Sequence, residues 1–552
     1  MAINDDSEKR FEADIEAFLL SQAGGYVKNE TPYDAKLGLY PATLLDFVKR
    51  TQPKAWKRFE LQNAVDTDKR FCDAFNNATD RDGILSVLRH GFKHKGITFY
   101  VCYFKPHSKL NQTALELYQQ NVITCNRQWY YSTENHNSVD MVLAVNGIPV
   151  FAFELKNQYK GQSVDNAKKQ WMYDRNNKEV CFQFNRRILA FFCADLTEVL
   201  MTTRLDGKKT RFLPFNQGSA GAGNDGGNGN PVNPDGYATA YLWQEVFQKE
   251  SMLDIIQKFI NLQHSEEKVM QPDGSFKLVA KKALIFPRYH QLDAVRKLVA
   301  DVSANGAGQN YLIQHSAGSG KSNSIAWIAY RLSSLFDIED KPVFRSVIVV
   351  TDRTVLDRQL QDTISGFDHT LGSVETIGED KTSKHLKDAI NNGVRIIVTT
   401  LQKFPVIYEE VEKASGRNFA VIVDEAHSSQ TGTASMKLKA ALADTEAALK
   451  EYAEIEGKAE DEVDPQDKLV SDLIKQGKHK NLSFFAFTAT PKPATLEMFG
   501  TRYSDGSFHP FHIYSMRQAI EEEFILDVLQ NYMTYDTCYK ITCISVVNIL
   551  KL

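Results

Sequence analysis

Two groups of residues have the types and spacing that chemistry needs. The first is Asp140, followed fourteen positions later by Glu154 and then by Lys156. Two carboxylates converging beside a backbone carbonyl offer hard oxygen ligands to Mg2+. Mg2+ held there lowers the pKa of water and neutralises charge on a phosphodiester, while a neighbouring lysine positions or deprotonates the nucleophile. The second group is Ser316-Ala317-Gly318-Ser319-Gly320-Lys321-Ser322, a glycine-rich loop ahead of a helical stretch. Glycines let backbone amides converge on phosphate oxygens, and the helix N-terminus adds a favourable dipole. Lys321 is expected to reach the β- and γ-phosphates of ATP, and Ser322 to hold Mg2+. About a hundred residues on, Asp424 is expected to bind that Mg2+ through water, and Glu425 to orient and activate the attacking water.

The elements that must position these groups are legible around them. Apolar runs at 141–145 and 150–153 flank Asn146-Gly147, the strongest short hairpin signal, since both residues accept positive φ. Glu154 and Lys156 alternate on the second strand and share a face. A plain two-residue turn would pair Asp140 with Phe153 and put Asp140 on the face opposite Glu154. A bulge or a three-residue loop shifts the pairing to Glu154, and Pro149, which has no N–H to donate, favours such an irregularity. The metal-site reading depends on it. Further on, short apolar runs at 311–313, 346–350, 395–399, 420–423 and 484–487 alternate with helical patterns, which predicts a parallel, doubly wound sheet. Asp424 and Glu425 end one of those strands, and Thr488-Ala489-Thr490 ends another. In the first part of the chain, Phe11, Ile15, Phe18 and Leu19 make a helical stripe.

At 552 residues the chain is too long for a single core. A net charge of −4 excludes a protein coated in basic surface, yet permits local basic patches that bind phosphates. Seven scattered cysteines without a CxxC pair predict reduced, buried thiols, not a disulfide frame or a zinc site. The charged first residues hold no apolar signal core, and no run of about 18 apolar residues suggests a membrane span. A cytoplasmic protein without membrane contact is expected. The stretch 216–236, rich in Gly, Asn and Pro, buries too little apolar surface to order itself well, and reads as a linker or mobile loop. The charged stretch 445–480 reads as a solvated helical insertion.

The motor-like motifs resemble those of superfamily 2 helicases. Gly318 and Gly320 suit the AxxGxGK[ST] form of the phosphate loop, although His315 stands where the general pattern has its first glycine. Arg288-Tyr-His-Gln291 lies where that superfamily reads adenine. Thr351-Asp352-Arg353 and Thr399-Thr400-Leu401-Gln402 occupy the places of its strand-end DNA contacts. The Asp424-Glu425-Ala426-His427 box implies that His427 relays nucleotide state to the Thr488–Thr490 hydroxyls. The hairpin, in turn, resembles the PD-(D/E)xK nuclease fold. That fold often adds a Gln and a Tyr on the next helix, which makes Gln170, and less so Tyr173, candidates. Glu12 and Glu16 on the first helix are alternatives for a further ligand, or solvated charges.

A nuclease of this kind followed by such a motor is similar to the restriction subunit of type I restriction-modification enzymes. The resemblance implies ATP- and Mg2+-dependent translocation and cleavage of double-stranded DNA, beside methyltransferase and specificity subunits. It divides the chain into an α/β/α endonuclease-like domain (1–215), a Gly/Asn-rich linker or loop (216–236), a connecting helical segment (237–280), a RecA-like helicase domain (281–505), and the start of a second RecA-like domain (506–552). No arginine-finger motif follows, so ATP binding is expected while turnover by this chain alone is expected to be poor. Two readings compete: another superfamily 2 helicase-nuclease of type III restriction or DNA-repair kind, and an ATP-binding scaffold without turnover.

Overall fold

The computed structural model describes residues 8–351 except 109, 159–160, 271–275 and 338, together with 360–361, 363–364, 373–377, 381, 383–400, 417–424 and 481–525. Two seven-stranded sheets organise these residues. The first runs, edge to edge, Val27–Lys28, Ile123–Tyr130, Ser138–Val145, Ile148–Leu155, Ala190–Ala194, Val199–Thr202 and Leu213–Pro214. At its centre, Asn146 (φ 50°) and Gly147 (φ 82°) turn the chain with the paired positive φ that suits a tight hairpin.

The hairpin is irregular, as the pairing of Asp140 with Glu154 requires. Val145 pairs with Ile148 and Ala144 with Pro149, but Leu143 pairs with Phe151 and Met141 with Phe153, so Val150 is an extra residue. That bulge, beside a proline with no N–H, moves Asp140 opposite Glu154 in the continuing register. All eight residues of Ile148–Leu155 are buried, because both faces of the sheet are covered. Phe153 and Leu155 face a core that includes Phe11, Ile15 and Leu19 of the helix Glu8–Leu19. Ala152 faces a smaller core with Val164, Ala167, Trp171 and Phe182.

The second sheet is parallel throughout, in the order Val374–Ile377, Ile396–Thr400, Ser346–Thr351, Phe419–Val423, Leu482–Thr488, Asn310–His315 and His512–Tyr514. Its central strands are near-continuous apolar runs, as expected where helices lie on both faces. Parallel strands deliver their C-terminal ends to one edge, so the residues after His315, Val423 and Thr488 share that edge.

Three expected divisions are corrected. His512–Tyr514 pairs with Asn310–His315 and completes the first motor sheet, so 506–525 do not start a second RecA-like domain. The segment 237–280 is helical only in part. Lys249–Lys258 is a helix, but Asn261–Met270 and Phe276–Ile285 form a long antiparallel hairpin. The Gly/Asn-rich stretch is ordered, by hydrogen bonds where apolar burial is lacking. Gly218 N donates to Gly229 O (2.8 Å), Asn216 Oδ1 accepts from Val199 N (2.9 Å), and Gly226 O accepts from Ser515 Oγ (2.6 Å). It ties the edge of the first sheet to the last helix of the motor. The insertion at 445–480 and the tail 526–552 lie outside the described residues.

An aromatic seam also joins the two sheets. Phe151 packs on Phe247 (centroids 5.0 Å) and Phe286 (6.1 Å), Phe286 on Phe215 (5.8 Å), and Phe215 on Tyr289 (5.6 Å), the first residue of a motor helix. One buried cluster therefore runs from nuclease-like to motor-like sheet. The described cysteines are buried free thiols. Among the described residues, no helix is long and apolar enough to cross a membrane.

Candidate active sites

The bulged hairpin brings Asp140, Glu154 and Lys156 together. Asp140 Oδ2 accepts from Leu155 N at 2.7 Å and lies 3.4 Å from Lys156 Nζ. The Lys156 ammonium donates to Leu155 O (2.9 Å) and to Glu8 Oε1 (2.7 Å), so three oxygens surround a cation here. Burial disfavours its charge, but Asp140, Glu8 and Glu154 more than offset that and hold its pKa above the usual lysine range. Glu154 is fully buried. Burial, then the neighbouring Asp140 carboxylate, push its pKa well above the usual value, against the pull of Arg175 and Lys156.

Arg175 is a partner that sequence reasoning missed. Its Nε and Nη2 both reach Glu154 Oε1, at 2.7 and 2.6 Å, and Nη2 also donates to Ser138 O (2.8 Å). Both contacts fall on one oxygen, so Glu154 Oε2 is buried without a hydrogen-bond partner. Gln170 Oε1 is likewise buried and unpartnered, and no hydrogen bond joins Gln170 to Asp140, Glu154 or Lys156 among the described residues. An orphaned carboxylate oxygen next to Asp140 and the Leu155 carbonyl suits a hard divalent cation, which would release the desolvation cost of both carboxylates. The donor set is lean, since no three His, Cys, Asp or Glu side chains group as a metal cluster among the described residues.

Local structure explains the remaining candidates. The helix Val164–Lys169, capped by Ser163, widens into a π-helical turn at Gln170–Asp174. Three residues no longer span one face there, and Tyr173 is 59% exposed beneath Lys208 while Trp171 is buried, so Tyr173 is not a site residue here. Glu12 is buried, not solvated, and takes Arg127 at 3.1 Å and Gln128 at 3.1 Å. Burial raises its pKa and Asp140 adds to the rise, which places Glu12 near the site. Glu16 pairs with Arg127 at 3.3 Å.

At the second site, Lys321 opens the helix Lys321–Ser333 after Gly318 (φ 72°) and Gly320 (φ 77°). A Cβ on Gly320 would lie 2.6 Å from Gln291 Nε2, so glycine is required for close approach as well as for φ. Ser316 is buried and its N–H donates to Tyr514 O (3.0 Å); Ala317 and Gly318 are exposed; Ser322 is half-buried. Ser319 is buried with its Oγ unpartnered. Asp424 lies on the same sheet edge, its N–H donating to Val350 O (3.1 Å). Glu425 and His427 lie outside the described residues, as do Asp352, Arg353, Leu401 and Gln402.

Arg288 and Gln291, expected to read adenine, here brace the phosphate loop. Gln291 Nε2 donates to Ser319 O (3.1 Å) and Gly320 O (3.0 Å), and its Oε1 accepts from Arg288 N (2.9 Å). Arg288 donates to Gly318 O (3.0 Å), to the Tyr514 hydroxyl and to Glu522 Oε2 (3.1 Å), with Phe524 3.3 Å from its guanidinium. These partners lie more than 200 positions away in sequence, which is why spacing did not disclose them.

His315 heads a buried relay. Its Nε2 lies 2.9 Å from His512 Nδ1, and His512 Nε2 lies 3.0 Å from Asp293 Oδ2, which Lys297 also holds at 2.7 Å. An ionised carboxylate only accepts, so His512 carries its proton on Nε2 and accepts at Nδ1 from His315. Burial pushes both histidines below their ordinary range, with Lys321 adding to the effect on His315 and Asp293 opposing it on His512. A depressed folded pKa gives stability that is present above the unfolded value and lost as pH falls toward the folded one. Melting temperature should therefore drop as pH is lowered from about 7.5 to about 5.5. The slope should flatten in His512→Gln; the same slope in that variant counts against the relay.

Comparison with known proteins matches both halves. A family model described as "Type I restriction enzyme R protein N terminus" matches residues 54–210, and one described as "SWI2/SNF2 ATPase" matches 290–448. The Haemophilus influenzae protein "Type I restriction enzyme HindI endonuclease subunit" is 27% identical over 307 residues, covering 53% of this chain and 26% of that protein. A Methanocaldococcus jannaschii protein, "Putative type I restriction enzyme MjaVIIIP endonuclease subunit", is 22% identical over 338 residues, covering 57% of this chain and 30% of that protein. The chain thus matches less than a third of each relative's length. A solved fragment of a putative HsdR subunit of a type I restriction enzyme from Vibrio vulnificus YJ016 aligns over 72% of this chain and 56% of that one, at 14% identity and a TM-score of 0.25, an overlap on which no argument rests.

Proposed function

We propose, of a chain that belongs to the R proteins of type I restriction enzymes, that its two sites cleave double-stranded DNA and bind the ATP that drives translocation along it. The observation that carries this reading is the bulge at Val150, which sets Asp140 opposite Glu154 with Lys156 between Asp140 and Glu8. Asp140 and Glu154 would hold Mg2+, with the Leu155 carbonyl and water completing its shell. The ion supplies an acidified water and a counter-charge for the phosphodiester. Lys156 orients the nucleophile and takes or shares its proton, and Gln170 adds a buried acceptor beside the path. Arg175 fixes the Glu154 rotamer so that Oε2 stays available.

At the motor edge, the phosphate loop from Ser316 to Ser322 would cradle ATP, with Lys321 on the β- and γ-phosphates and Ser322 and Asp424 serving Mg2+. Glu425 would activate water and His427 relay the outcome. Arg288 and Gln291, by holding the loop carbonyls, set its shape. The methyltransferase and specificity subunits would supply site recognition, in the cytoplasm where chromosomal methylation is kept.

Binding of a fluorescent ATP analogue by wild type and Lys321→Ala tests the motor half. One buried charge-assisted contact predicts about a 10- to 100-fold loss of affinity. Unchanged affinity sinks the assignment. Plasmid nicking that proceeds equally with Mg2+ and with EDTA sinks the nuclease half.

A further inference from the structure

A cavity of about 610 Å³ lies where the first sheet's helices meet the lower edge of the motor. Arg89, Lys258, Arg331 and Arg395 line it, with His90 and His107, and no carboxylate does. Its neighbour, about 480 Å³, shares Gln257, Lys258 and Arg331 and contains Asp254. Asp254 takes Arg331 at 2.6 Å, Lys258 at 3.4 Å and Arg296 at 3.9 Å, so one carboxylate serves three cations. Arg89 and Arg395 donate to backbone carbonyls, Ile256 O (2.9 Å) and Ser333 O (3.1 Å), which leaves their charge uncompensated. Ser373 also lines the larger cavity, and its Oγ is buried without a partner. Partly buried cations of one sign repel unless an anion joins them. The cavities are the size of small-molecule sites and rich in donors.

We propose that this seam cavity binds a phosphate group. The site is distinct from the ATP loop. The phosphate loop opens the helix Lys321–Ser333, and Arg331 and Ser334 stand at its far end, roughly 20 Å along at 1.5 Å per residue. Four cations and the unpaired Ser373 hydroxyl match the oxygens of a phosphate monoester or diester. The lining joins three parts of the chain: Arg89 and His107 from the first unit, Lys258 from the connecting helix, and Arg331 and Arg395 from the motor. An anion there bridges both units. Burial and the nearby Lys258 and Arg331 bring the His107 pKa down to about 4, the response of a group in an already positive field.

The test uses the full chain carrying Lys321→Ala, so that the ATP loop cannot respond. Inorganic phosphate at about tenfold excess over its Kd should raise the melting temperature by about 2–4 °C, against chloride at matched ionic strength. Lys258→Met should abolish that rise, while Arg331 and Arg296 still hold Asp254. Gln257→Glu, which places a carboxylate against the same cations, should raise the melting temperature without phosphate and remove the response to it. A phosphate response of equal size in all three proteins, or none in the parent, overturns the proposal. Anisotropy with a short labelled duplex separates the source. Affinity weakened about tenfold by Lys258→Met and competed by phosphate assigns the site to a DNA backbone; unchanged duplex affinity with an intact phosphate response assigns it to free phosphate or nucleotide.

Discussion

Lys156→Ala should reduce Mg2+-dependent plasmid nicking by about 100-fold or more, while ATP binding stays unchanged. In the structure the ammonium sits among Glu8 Oε1, Leu155 O and Asp140 Oδ2, the same oxygens that face the expected metal. It therefore has two roles that pull apart in the variant. As the group that positions and deprotonates the nucleophile it is needed for the reaction. As a cation beside Asp140 it competes electrostatically with the metal. Nicking rate against Mg2+ concentration should then show a large fall in the maximal rate with a half-saturating Mg2+ concentration equal to or below that of wild type. A rate equal to wild type defeats the nuclease reading. A fall in rate fully restored by excess Mg2+ would reduce Lys156 to a structural counter-ion.

Trp171→Ala should destabilise the protein by about 3–5 kcal/mol. The indole is fully buried, packs on Phe191 at 5.1 Å and Phe182 at 5.7 Å, and its Nε1 donates to Phe192 O at 3.1 Å. Truncation leaves a large cavity and an unsatisfied carbonyl in the strand beside the catalytic one. Because Trp171 anchors the π-helical turn between Gln170 and Arg175, nicking should fall further than stability alone explains, and Trp171→Phe should recover most of the stability but less of the activity. Urea unfolding measures the first effect. A loss below about 1 kcal/mol would mean that the smaller core collapses around the gap.

How much of this was legible in the sequence depended on range. The hairpin, its bulge, the five motor strands and the phosphate loop were readable because their signals are local: Asn-Gly, a proline in a strand, apolar runs, spaced glycines. Arg175 was not, because a π-helical turn has no distinctive composition and the pairing with Glu154 is a tertiary event. Glu8 was invisible for the same reason, although Glu12 on the same helix was a candidate. The hairpin at Asn261–Ile285 did carry a signal, Pro272-Asp273-Gly274, between its paired strands, and the helical pattern before it obscured that signal. Residues 506–525 looked like a new domain because only pairing in space reveals that His512–Tyr514 adds to the strand Asn310–His315.

The aromatic seam through Phe151, Phe247, Phe286 and Phe215 has a mechanical consequence. A contact that is close-packed and apolar resists shear, so a displacement of the motor sheet carries the cutting hairpin with it as one rigid lever, without slack at the joint. Force generated on the track would then reach the scissile bond as a change of position, and the blade would travel with the engine.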